Sequence, residues 1–212
     1  AGSLKSSLAF NILYHVAKER DLKGLYLSLE QNREDFIEQM ANLGMDIADV
    51  GEKVDVIDFG KLREELKPEE YARVKEEAKK GAPIDWLESI HYQVKRYKEA
   101  IGFDILVLDS LEALYALTDL EKPRDQIFHF LRAIRNMGVT ALLISEMYED
   151  IWRFSKYGES YLCDGIIHLT MERRENTVGR FLSVVKMRKT KHSTDYFPLI
   201  ADEHGFRIVP AE

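Results

Sequence analysis

Cysteine is nearly absent from the sequence, and long apolar runs are missing. Cys163 is the one cysteine among 212 residues, so the chain cannot close a disulfide within itself. This favours a reducing, cytoplasmic setting. The apolar runs fall short of the roughly 20 residues that span a bilayer, and none resembles a secretory leader. The sequence therefore predicts neither a disulfide-stabilised extracellular domain nor a membrane-spanning protein.

Positive charge is also in short supply. The chain carries 30 lysines and arginines against 37 acidic residues, a formal net charge of −7. A surplus of negative charge disfavours broad electrostatic binding of nucleic acid or of an anionic membrane, although a local basic patch is compatible with it. With 45% hydrophobic and 32% charged residues, the composition is that of a folded globular protein. The length favours a single domain.

Helices and strands are predicted to alternate along most of the chain. Apolar spacing predicts helices at 8–17, 33–43, 85–100 and 125–137 and strands at 25–29, 54–59, 103–110 and 139–144. Beyond residue 165 the pattern predicts strands at 166–170, 180–188, 197–200 and 206–209, with hairpin turns at 176–179 and 202–205. This order predicts one α/β domain over 1–212, with a mostly parallel sheet flanked by helices and a C-terminal antiparallel extension.

Four further expectations complete this outline. Residues 61–80 are dense in glutamate and lysine and are interpreted as a solvated helical stretch with no assigned role. Gly24 is expected to end the first helix. Apolar residues of the 125–137 helix are expected in the core: Phe128, Phe130, Leu131 and Ile134. Because the chain opens on a helix without a preceding strand, we expect that sequence upstream of Ala1 is missing.

The residues before the first helix resemble the end of a phosphate-binding loop. The loop pattern G-x-x-x-x-G-K-[ST] passes into its helix as residues 2–6 do here, with the sequence Gly-Ser-Leu-Lys-Ser. Backbone N–H groups at such a helix start surround phosphate, and the helix dipole favours its negative charge. Lys5 stands where the lysine reaches the outer phosphates, and Ser6 where the hydroxyl holds Mg²⁺. This interpretation assigns nucleotide contacts to Gly2, Ser3, Lys5, Ser6 and Ser7.

The match departs from the loop pattern at two positions. The first glycine of the loop would precede Ala1, and Leu4 stands where the glycine before the lysine is expected. Glycine is usual there because the backbone turns with a positive φ, which costs other residues roughly 1–2 kcal/mol. The alternative is an ordinary helix start with Ser3 as its N-cap.

An acidic residue closes the most apolar predicted strand. Residues 105–108 are apolar and Asp109 follows them, which places its carboxylate at the C-terminal edge of a parallel sheet. Open α/β sheets bind ligands at that edge, and a carboxylate there can hold Mg²⁺ directly or through water. The alternative is a capping aspartate at a strand-to-helix turn. The presence of Lys5 and Ser6 earlier in the chain favours the metal role.

Several motifs, taken in order, make the sequence recognisable. They lie at 28–31 (Ser-Leu-Glu-Gln), 109–110 (Asp-Ser), 140–146 (a strand ending in Ser-Glu), 156–158 (Lys-Tyr-Gly), 163–167 (Cys-Asp-Gly-Ile-Ile) and 186–193 (Lys-Met-Arg-Lys-Thr-Lys-His-Ser). With these motifs the chain resembles the KaiC-like branch of the RecA-like ATPases, which includes archaeal FlaH-like proteins. The resemblance implies a RecA-like P-loop core. It is most specific in the C-terminal motifs and least specific in the loop.

The resemblance implies roles for two acidic residues. Glu30 matches the glutamate that activates the attacking water, although Gln31 replaces the second acid that is usual in the family. A glutamate at a strand end near the γ-phosphate can orient or deprotonate water for in-line attack. Asp109 matches the Walker B aspartate, which would hold Mg²⁺ together with Ser6. The alternative for Glu30 is an exposed loop acid.

Two basic residues of the last motif are also given a catalytic role by the resemblance. Lys186 and Arg188 are two apart on a predicted strand, so their side chains project from the same face. In the family such a pair reaches the nucleotide bound by the neighbouring subunit, in the manner of an arginine finger supplied in trans. The alternative is a basic strand that discourages pairing at a sheet edge.

The function implied by the resemblance is slow, Mg²⁺-dependent hydrolysis of ATP. The active site would be completed across a subunit interface in a ring or filament of identical chains, with a regulatory role that leaves room for a protein partner. The alternative is a degenerate regulatory or scaffold protein, because Leu4 interrupts the loop pattern. Recombinase-like DNA binding is a third interpretation, and the net negative charge disfavours it.

Overall fold

The computed structural model describes residues 2–64, 86–118, 120–147, 154–174 and 176–210. The helices in these ranges are α1 (Lys5–Arg20), α2 (Arg33–Ala41), α3 (Phe59–Glu64), α4 (Trp86–Ile101), α5 (Leu111–Leu117), α6 (Pro123–Asn136) and α7 (Glu159–Leu162). The strands are β1 (Gly24–Ser28), β2 (Val54–Asp58), β3 (Ile105–Asp109), β4 (Thr140–Leu143), β5 (Gly165–Arg174), β6 (Thr177–Met187), β7 (Phe197–Asp202) and β8 (Gly205–Ile208). Short 3₁₀ turns at Ile47–Asp49 and Gly51–Lys53 precede β2.

Two four-stranded sheets organise these elements. The first sheet has the strand order β2-β1-β3-β4, and its neighbouring strands are parallel. The second sheet has the order β5-β6-β7-β8, and its neighbouring strands are antiparallel. The predicted α/β class, with a parallel central sheet, flanking helices and a C-terminal antiparallel extension, is therefore confirmed.

The parallel sheet is covered by helices on both faces, which is why its strands read as continuous apolar runs. Side chains alternate between the two faces of β1. Leu25 and Leu27 pack into a cluster with residues of α4, α5 and α6. Tyr26 points to the opposite face and packs with residues of α1 and α2. Every residue of β1 and of β3 is buried, so these two strands form the centre of the domain.

The register of the parallel strands brings their carboxyl ends to one edge of the sheet. Ser28, the last residue of β1, lies opposite both Asp58 of β2 and Asp109 of β3. The backbone N–H of Leu29 donates to the carbonyl oxygen of Asp109 at 2.6 Å, which fixes the two strand ends against each other. Residues that follow β1 and β3 in the sequence are thereby held side by side.

The C-terminal hairpin of β7 and β8 packs directly on the turn after α2. Gly44 has a φ of +76°, and a Cβ atom at this position would lie 2.4 Å from the backbone oxygen of Glu203. Phe206 of β8 packs against the cluster that contains Tyr26. The close approach at Gly44 thus joins the antiparallel sheet to the layer that contains α1 and α2.

The observed helix and strand bounds differ from the predicted ones in a few places. α1 ends at Arg20 with Asp21 as its C-cap, and Gly24 is instead the first residue of β1. The hairpin of β5 and β6 continues to the pair Arg174 and Thr177, so the turn predicted at 176–179 was placed too late. The hairpin predicted at 202–205 is confirmed, because Asp202 pairs with Gly205.

The helices α5 and α7 were not predicted, and one predicted core residue is exposed. α5 follows β3 directly, and the Ser110 hydroxyl caps it by accepting a hydrogen bond from the N–H of Ala113. Phe128 in α6 is 41% exposed, whereas Phe130 and Ile134 are buried as expected. The apolar residues predicted over 125–137 are more than the buried face of this amphipathic helix can accommodate, and Phe128 lies outside that face.

The charged stretch predicted as a helix at 61–80 lies mostly outside the described residues, since the structure describes only its first residues as the end of α3. Within the described ranges, each helix is either too short or too polar to cross a membrane.

Gly44→Ala is expected to lower the free energy of unfolding by about 3 kcal/mol. The positive φ costs roughly 1–2 kcal/mol for a residue with a Cβ atom, and displacing the Glu203 carbonyl adds roughly 1–3 kcal/mol. Urea unfolding followed by circular dichroism measures this difference.

Gly138→Ala is the matched control for this prediction. Gly138 also has a positive φ, of +69°, but nothing lies within 4 Å of an added Cβ atom. The control variant should lose only about 1–2 kcal/mol, the cost of the backbone conformation alone. Equal losses of unfolding free energy in the two variants would show that the β7–β8 hairpin does not pack closely against Gly44.

Candidate active site

The backbone before α1 has the conformation that a glycine would adopt. Leu4 occupies the N-cap position with φ 63° and ψ 31°, in the left-handed region, and its side chain makes no capping hydrogen bond. The helix begins at Lys5, so the alternative of Ser3 as N-cap is wrong. Gly2 also has a positive φ, of +83°. The backbone therefore follows the turn expected of a phosphate-binding loop even though Leu4 replaces the glycine.

Leu4 stores backbone strain at this turn. A left-handed conformation costs a residue with a Cβ atom roughly 1–2 kcal/mol. Its side chain lines a shallow groove shared with α2 and the turn that follows: Asp35, Glu38, Gln39, Asn42 and Leu43. The strain is located at the start of α1, where the first backbone N–H groups of a helix have no intrahelical partner and can bind an anion.

A hydroxyl and a carboxylate meet beside this turn. Asp109, at the end of β3, is 6% exposed. Burial raises the pKa of its carboxyl group, while hydrogen bonds from the hydroxyls of Tyr26 and Ser6 act in the opposite direction. Lys5 also lowers the pKa of Asp109 through its charge, which places these side chains in one electrostatic group. Ser7, the next residue of α1, is buried at 1% exposure.

The donor set fits a magnesium ion that is shared with phosphates. Mg²⁺ prefers oxygen ligands, keeps several waters, and is usually bound by one or two protein groups together with substrate phosphates. Ser6 and Asp109 supply a hydroxyl and a carboxylate of this kind. Among the described residues, no group of three or more His, Cys, Asp and Glu side chains could hold a metal by itself. Ser6 and Asp109 would therefore need further oxygen ligands, such as waters or phosphate oxygens, to hold Mg²⁺.

Glu30 lies at the same edge of the sheet. It follows β1 by two residues and is exposed, as the loop-acid alternative expects. It is not a free loop acid, however, because the Ser110 hydroxyl donates a hydrogen bond to Glu30 Oε1. The negative charge of Glu30 raises the pKa of Asp109, so the two carboxylates are close enough to interact.

The end of β4 completes the cluster. Glu146 Oε1 lies 4.0 Å from the ammonium nitrogen of Lys5, whose side chain is 28% exposed. The neighbouring Ser145 hydroxyl donates to Glu112 Oε1 at 2.9 Å. Burial raises the pKa of Glu112, a residue of α5 that the sequence did not single out. The four predicted residues Lys5, Ser6, Glu30 and Asp109 are thus brought together with the strand end of β4.

Lys186 and Arg188 lie elsewhere in the chain. Lys186 Nζ donates to the backbone oxygens of Ser160 at 2.9 Å and Cys163 at 2.6 Å. Arg188 donates to the backbone oxygen of Tyr161 at 2.8 Å and to Asp164 at 3.3 Å. Both residues therefore contact the same segment around the end of α7, although Arg188 lies one residue beyond the end of β6 and not on the strand as predicted.

Among the described residues, the side-chain hydrogen bonds of Lys186 and Arg188 go to the segment at the end of α7 and not to the cluster around Lys5 and Asp109. The alternative of a basic strand that discourages edge pairing stays open, because the pairing of β6 with β7 covers only Phe181 and Leu182, and among the described strands the part of β6 around Lys186 pairs with β5 alone. Arg188 remains half-exposed, with 45% of its side chain accessible. In a single chain these two cations are thus held apart from the cluster and in part open to solvent.

Sequence reasoning missed the polar contacts of three acidic residues in and near the site. The Tyr26 hydroxyl donates to Asp109 Oδ2 at 2.6 Å. The second residue is Glu30, which accepts a hydrogen bond from Ser110. The third is Glu159, which is 3% exposed and accepts hydrogen bonds from the Tyr115 hydroxyl and the Tyr157 N–H. A tyrosine within an apolar strand was the one available signal, because a buried hydroxyl needs a partner.

Comparison with known proteins places these features in a family. The family model described as "ATPase: KaiC" matches residues 1–212. The circadian clock oscillator protein KaiC of Rippkaea orientalis is 26% identical over 99% of this chain, and that of Synechococcus elongatus is 23% identical over the same share. This chain spans 39% of the length of each of these two proteins.

Archaeal proteins match over more of their own length. A protein of Aeropyrum pernix described as a UPF0273 protein is 28% identical over 99% of this chain and 82% of its own length. The crystal structure of a KaiC-like protein from Pyrococcus horikoshii OT3 superposes with a TM-score of 0.78 at 24% identity, covering 99% of this chain and 86% of that protein. This likeness shows the same fold. Since the family model spans the whole chain, the protein belongs to the KaiC family of ATPases.

Proposed function

We propose that this chain binds ATP with Mg²⁺ at the start of α1 and hydrolyses it slowly. The observation that carries the proposal is the convergence of Lys5, Ser6, Asp109 and Glu30 at the carboxyl edge of the parallel sheet. An ammonium, a hydroxyl and two carboxylates in this arrangement supply the charge neutralisation, metal ligands and base that phosphoryl transfer to water requires.

The role of each residue in binding follows from its chemistry. The N–H groups of the first turn of α1 would donate to phosphate oxygens, and the Lys5 ammonium would neutralise the charge of the outer phosphates. Ser6 and Asp109 would hold Mg²⁺, which supplies charge neutralisation on the phosphate oxygens when bound. Gly2, Ser3 and Ser7 would contribute backbone groups that surround the phosphates.

Glu30 would act on the attacking water. Because Ser110 already donates to Oε1, Oε2 is the carboxylate oxygen left to accept a hydrogen bond from water. As the water oxygen bonds to the γ-phosphorus, the bond from that phosphorus to the ADP oxygen breaks, and Glu30 takes up the proton. The Ser110 contact restricts the rotation of the Glu30 side chain and so favours this orientation.

Lys186 and Arg188 would complete the site of a neighbouring copy of the chain. The hydrogen bonds of both side chains go to the α7 end and not to the residues around Asp109, which supports this role. Arg188 is exposed enough to face a second subunit. The proposal includes a ring or filament of identical chains in the cytoplasm, in which hydrolysis depends on assembly.

A regulatory or scaffold protein without turnover is the second candidate. The observation that favours it is Leu4, whose side chain stands at a left-handed turn where glycine leaves room for phosphate. Under this alternative the chain keeps the fold and its partner surfaces while binding nucleotide weakly or not at all.

Lys5→Ala should weaken the binding of a fluorescent, non-hydrolysable ATP analogue by about 10–100-fold, because a charge-assisted hydrogen bond to phosphate is lost. The titration uses the full-length protein with Mg²⁺ in excess. Lys18→Ala is the matched control, since Lys18 lies on the same helix but pairs with Asp49 at the far end. Equal affinities for the wild type and Lys5→Ala would refute the assigned phosphate site.

Leu4→Gly should raise the affinity for the same analogue by about three- to tenfold, because glycine leaves room for phosphate at this turn. The substitution should not destabilise the protein. The glycine relieves a backbone strain of roughly 1–2 kcal/mol, which offsets its own entropic cost of roughly 0.5–1 kcal/mol. Asp21→Gly is the control, because Asp21 has a similar left-handed conformation at the other end of α1. Binding by Leu4→Gly alone, with none by the wild type, would favour the scaffold alternative.

Glu30→Gln and Arg188→Ala should each reduce ATP turnover at least about tenfold, and mixing the two variants should restore part of the turnover. A mixed assembly joins an intact Glu30 to an intact Arg188 at about one interface in four, which predicts about a quarter of the wild-type rate. The rate of phosphate release at high protein concentration measures the turnover of the mixture.

Arg207→Ala serves as the arginine control, since Arg207 pairs with Asp202 on the β7–β8 hairpin. In a mixture of Glu30→Gln and Arg207→Ala chains, only the Arg207→Ala chains keep Glu30. The ATP turnover of this mixture should therefore not exceed that of its Arg207→Ala chains alone. If Glu30→Gln mixed with Arg188→Ala stays inactive, Arg188 does not act in trans.

A further inference from the structure

A buried tyrosine contacts the carboxylate that the proposed function assigns to the metal. The Tyr26 side chain is fully buried, at 0% exposure, and its hydroxyl donates to Asp109 Oδ2 at 2.6 Å. The same hydroxyl lies 3.5 Å from the backbone oxygen of Ser6. A tyrosine in the middle of an apolar strand thus places its one polar atom between the two proposed metal ligands.

The strand register explains why this hydroxyl reaches Asp109. Tyr26 lies directly opposite Val107 in the pairing of β1 with β3. Asp109 is two residues beyond Val107, so its side chain projects from the same face of the sheet as Tyr26. The length of the phenol ring spans the remaining distance along the strands. A shorter or apolar side chain at position 26 could not make the contact.

The ring that carries the hydroxyl is held by aromatic packing. Phe10 of α1 meets it edge-on, with centroids 6.0 Å apart, and Phe36 of α2 lies 4.4 Å away. Both phenylalanines are fully buried. Because α1 also carries the loop residues Lys5 and Ser6, the same packing that seats the helix on the sheet fixes the position of the Tyr26 hydroxyl.

We propose that Tyr26 is a positioning residue for the metal site. Its hydroxyl binds Oδ2 of Asp109 and so restricts rotation of the carboxylate, which leaves Oδ1 as the oxygen available to Mg²⁺ or to its water ligands. This inference rests on the proposed function, because it assumes that Asp109 binds the metal. It adds that the affinity for Mg²⁺ depends on a residue that touches neither the metal nor the nucleotide.

Tyr26→Phe should raise by about tenfold the Mg²⁺ concentration at which Mg²⁺ has half its maximal effect on the binding of an ATP analogue. The substitution keeps the ring and its packing but leaves Asp109 Oδ2 without its donor, and the loss of such a hydrogen bond to a metal ligand typically weakens metal binding 10–100-fold. The affinity for nucleotide in the presence of EDTA should stay within about twofold of the wild type, because the phosphate contacts of α1 are unchanged.

Tyr14→Phe is the matched control. Tyr14 belongs to the same aromatic cluster, with its ring centroid 6.4 Å from that of Phe10, and it is likewise buried. Its hydroxyl also donates to a carboxylate, Asp49 Oδ2 at 2.5 Å, but this contact lies at the far end of α1. Its Mg²⁺ dependence should match that of the wild type.

The experiment titrates Mg²⁺ into the full-length protein with a fluorescent, non-hydrolysable ATP analogue, so that the readout is binding and not turnover. Thermal melting of each variant checks that Tyr26→Phe and Tyr14→Phe are folded. A second measurement introduces Tyr26→Phe into an Asp109→Asn background, where the hydroxyl no longer faces a carboxylate. There the substitution should change the Mg²⁺ dependence by less than about twofold.

Each outcome of these titrations either supports or overturns the positioning role of Tyr26. A Mg²⁺ midpoint that rises only in Tyr26→Phe, and not in the Asp109→Asn background, supports the positioning role. Midpoints that are equal in the wild type and Tyr26→Phe overturn it while leaving the proposed function intact. An equal loss of nucleotide affinity with Mg²⁺ and with EDTA overturns it as well, since that is a packing defect. If the wild type binds no nucleotide at any Mg²⁺ concentration, the proposed function fails and this inference with it.

Discussion

The parallel register of β1 and β3 is the constraint on which the site depends. Ser28 lies opposite Asp109, and the backbone bond from Leu29 to Asp109 holds the two strand ends together. Glu30 follows one strand and Ser110 the other, so their side chains meet only if this register is kept. A shift by one residue would send Asp109 to the opposite face of the sheet, away from α1 and its loop.

Neutral hydroxyl groups donate hydrogen bonds to three carboxylates in and beside the site. Tyr26 donates to Asp109, Ser110 to Glu30 and Ser145 to Glu112. A hydroxyl satisfies a buried carboxylate oxygen without cancelling its charge. The site therefore keeps a concentration of negative charge in a half-buried position, which suits a divalent cation that arrives with a phosphate ligand.

The sequence predicted the central strands and the positions of Lys5, Ser6 and Asp109 from local pattern: an apolar run before Asp109, and a loop motif before α1. Glu30 was assigned through the family resemblance. The sequence pattern missed α5, whose seven residues are too few for a clear helical period. It could not predict the Tyr26 contact, because that contact depends on which strands are neighbours and in what register. The carbonyl contacts of Lys186 depend likewise on how α7 packs against β6.

The central claim is that Ser6 and Asp109 share one metal ion with the phosphates of a nucleotide at the start of α1. The most direct measurement is a crystal structure with Mn²⁺ and a non-hydrolysable ATP analogue, in which anomalous scattering locates the metal. The account predicts one metal peak within coordination distance of the Ser6 hydroxyl or bridged by water to Asp109, with phosphates on the first turn of α1. A nucleotide bound elsewhere, or a metal that is remote from both residues, would contradict it.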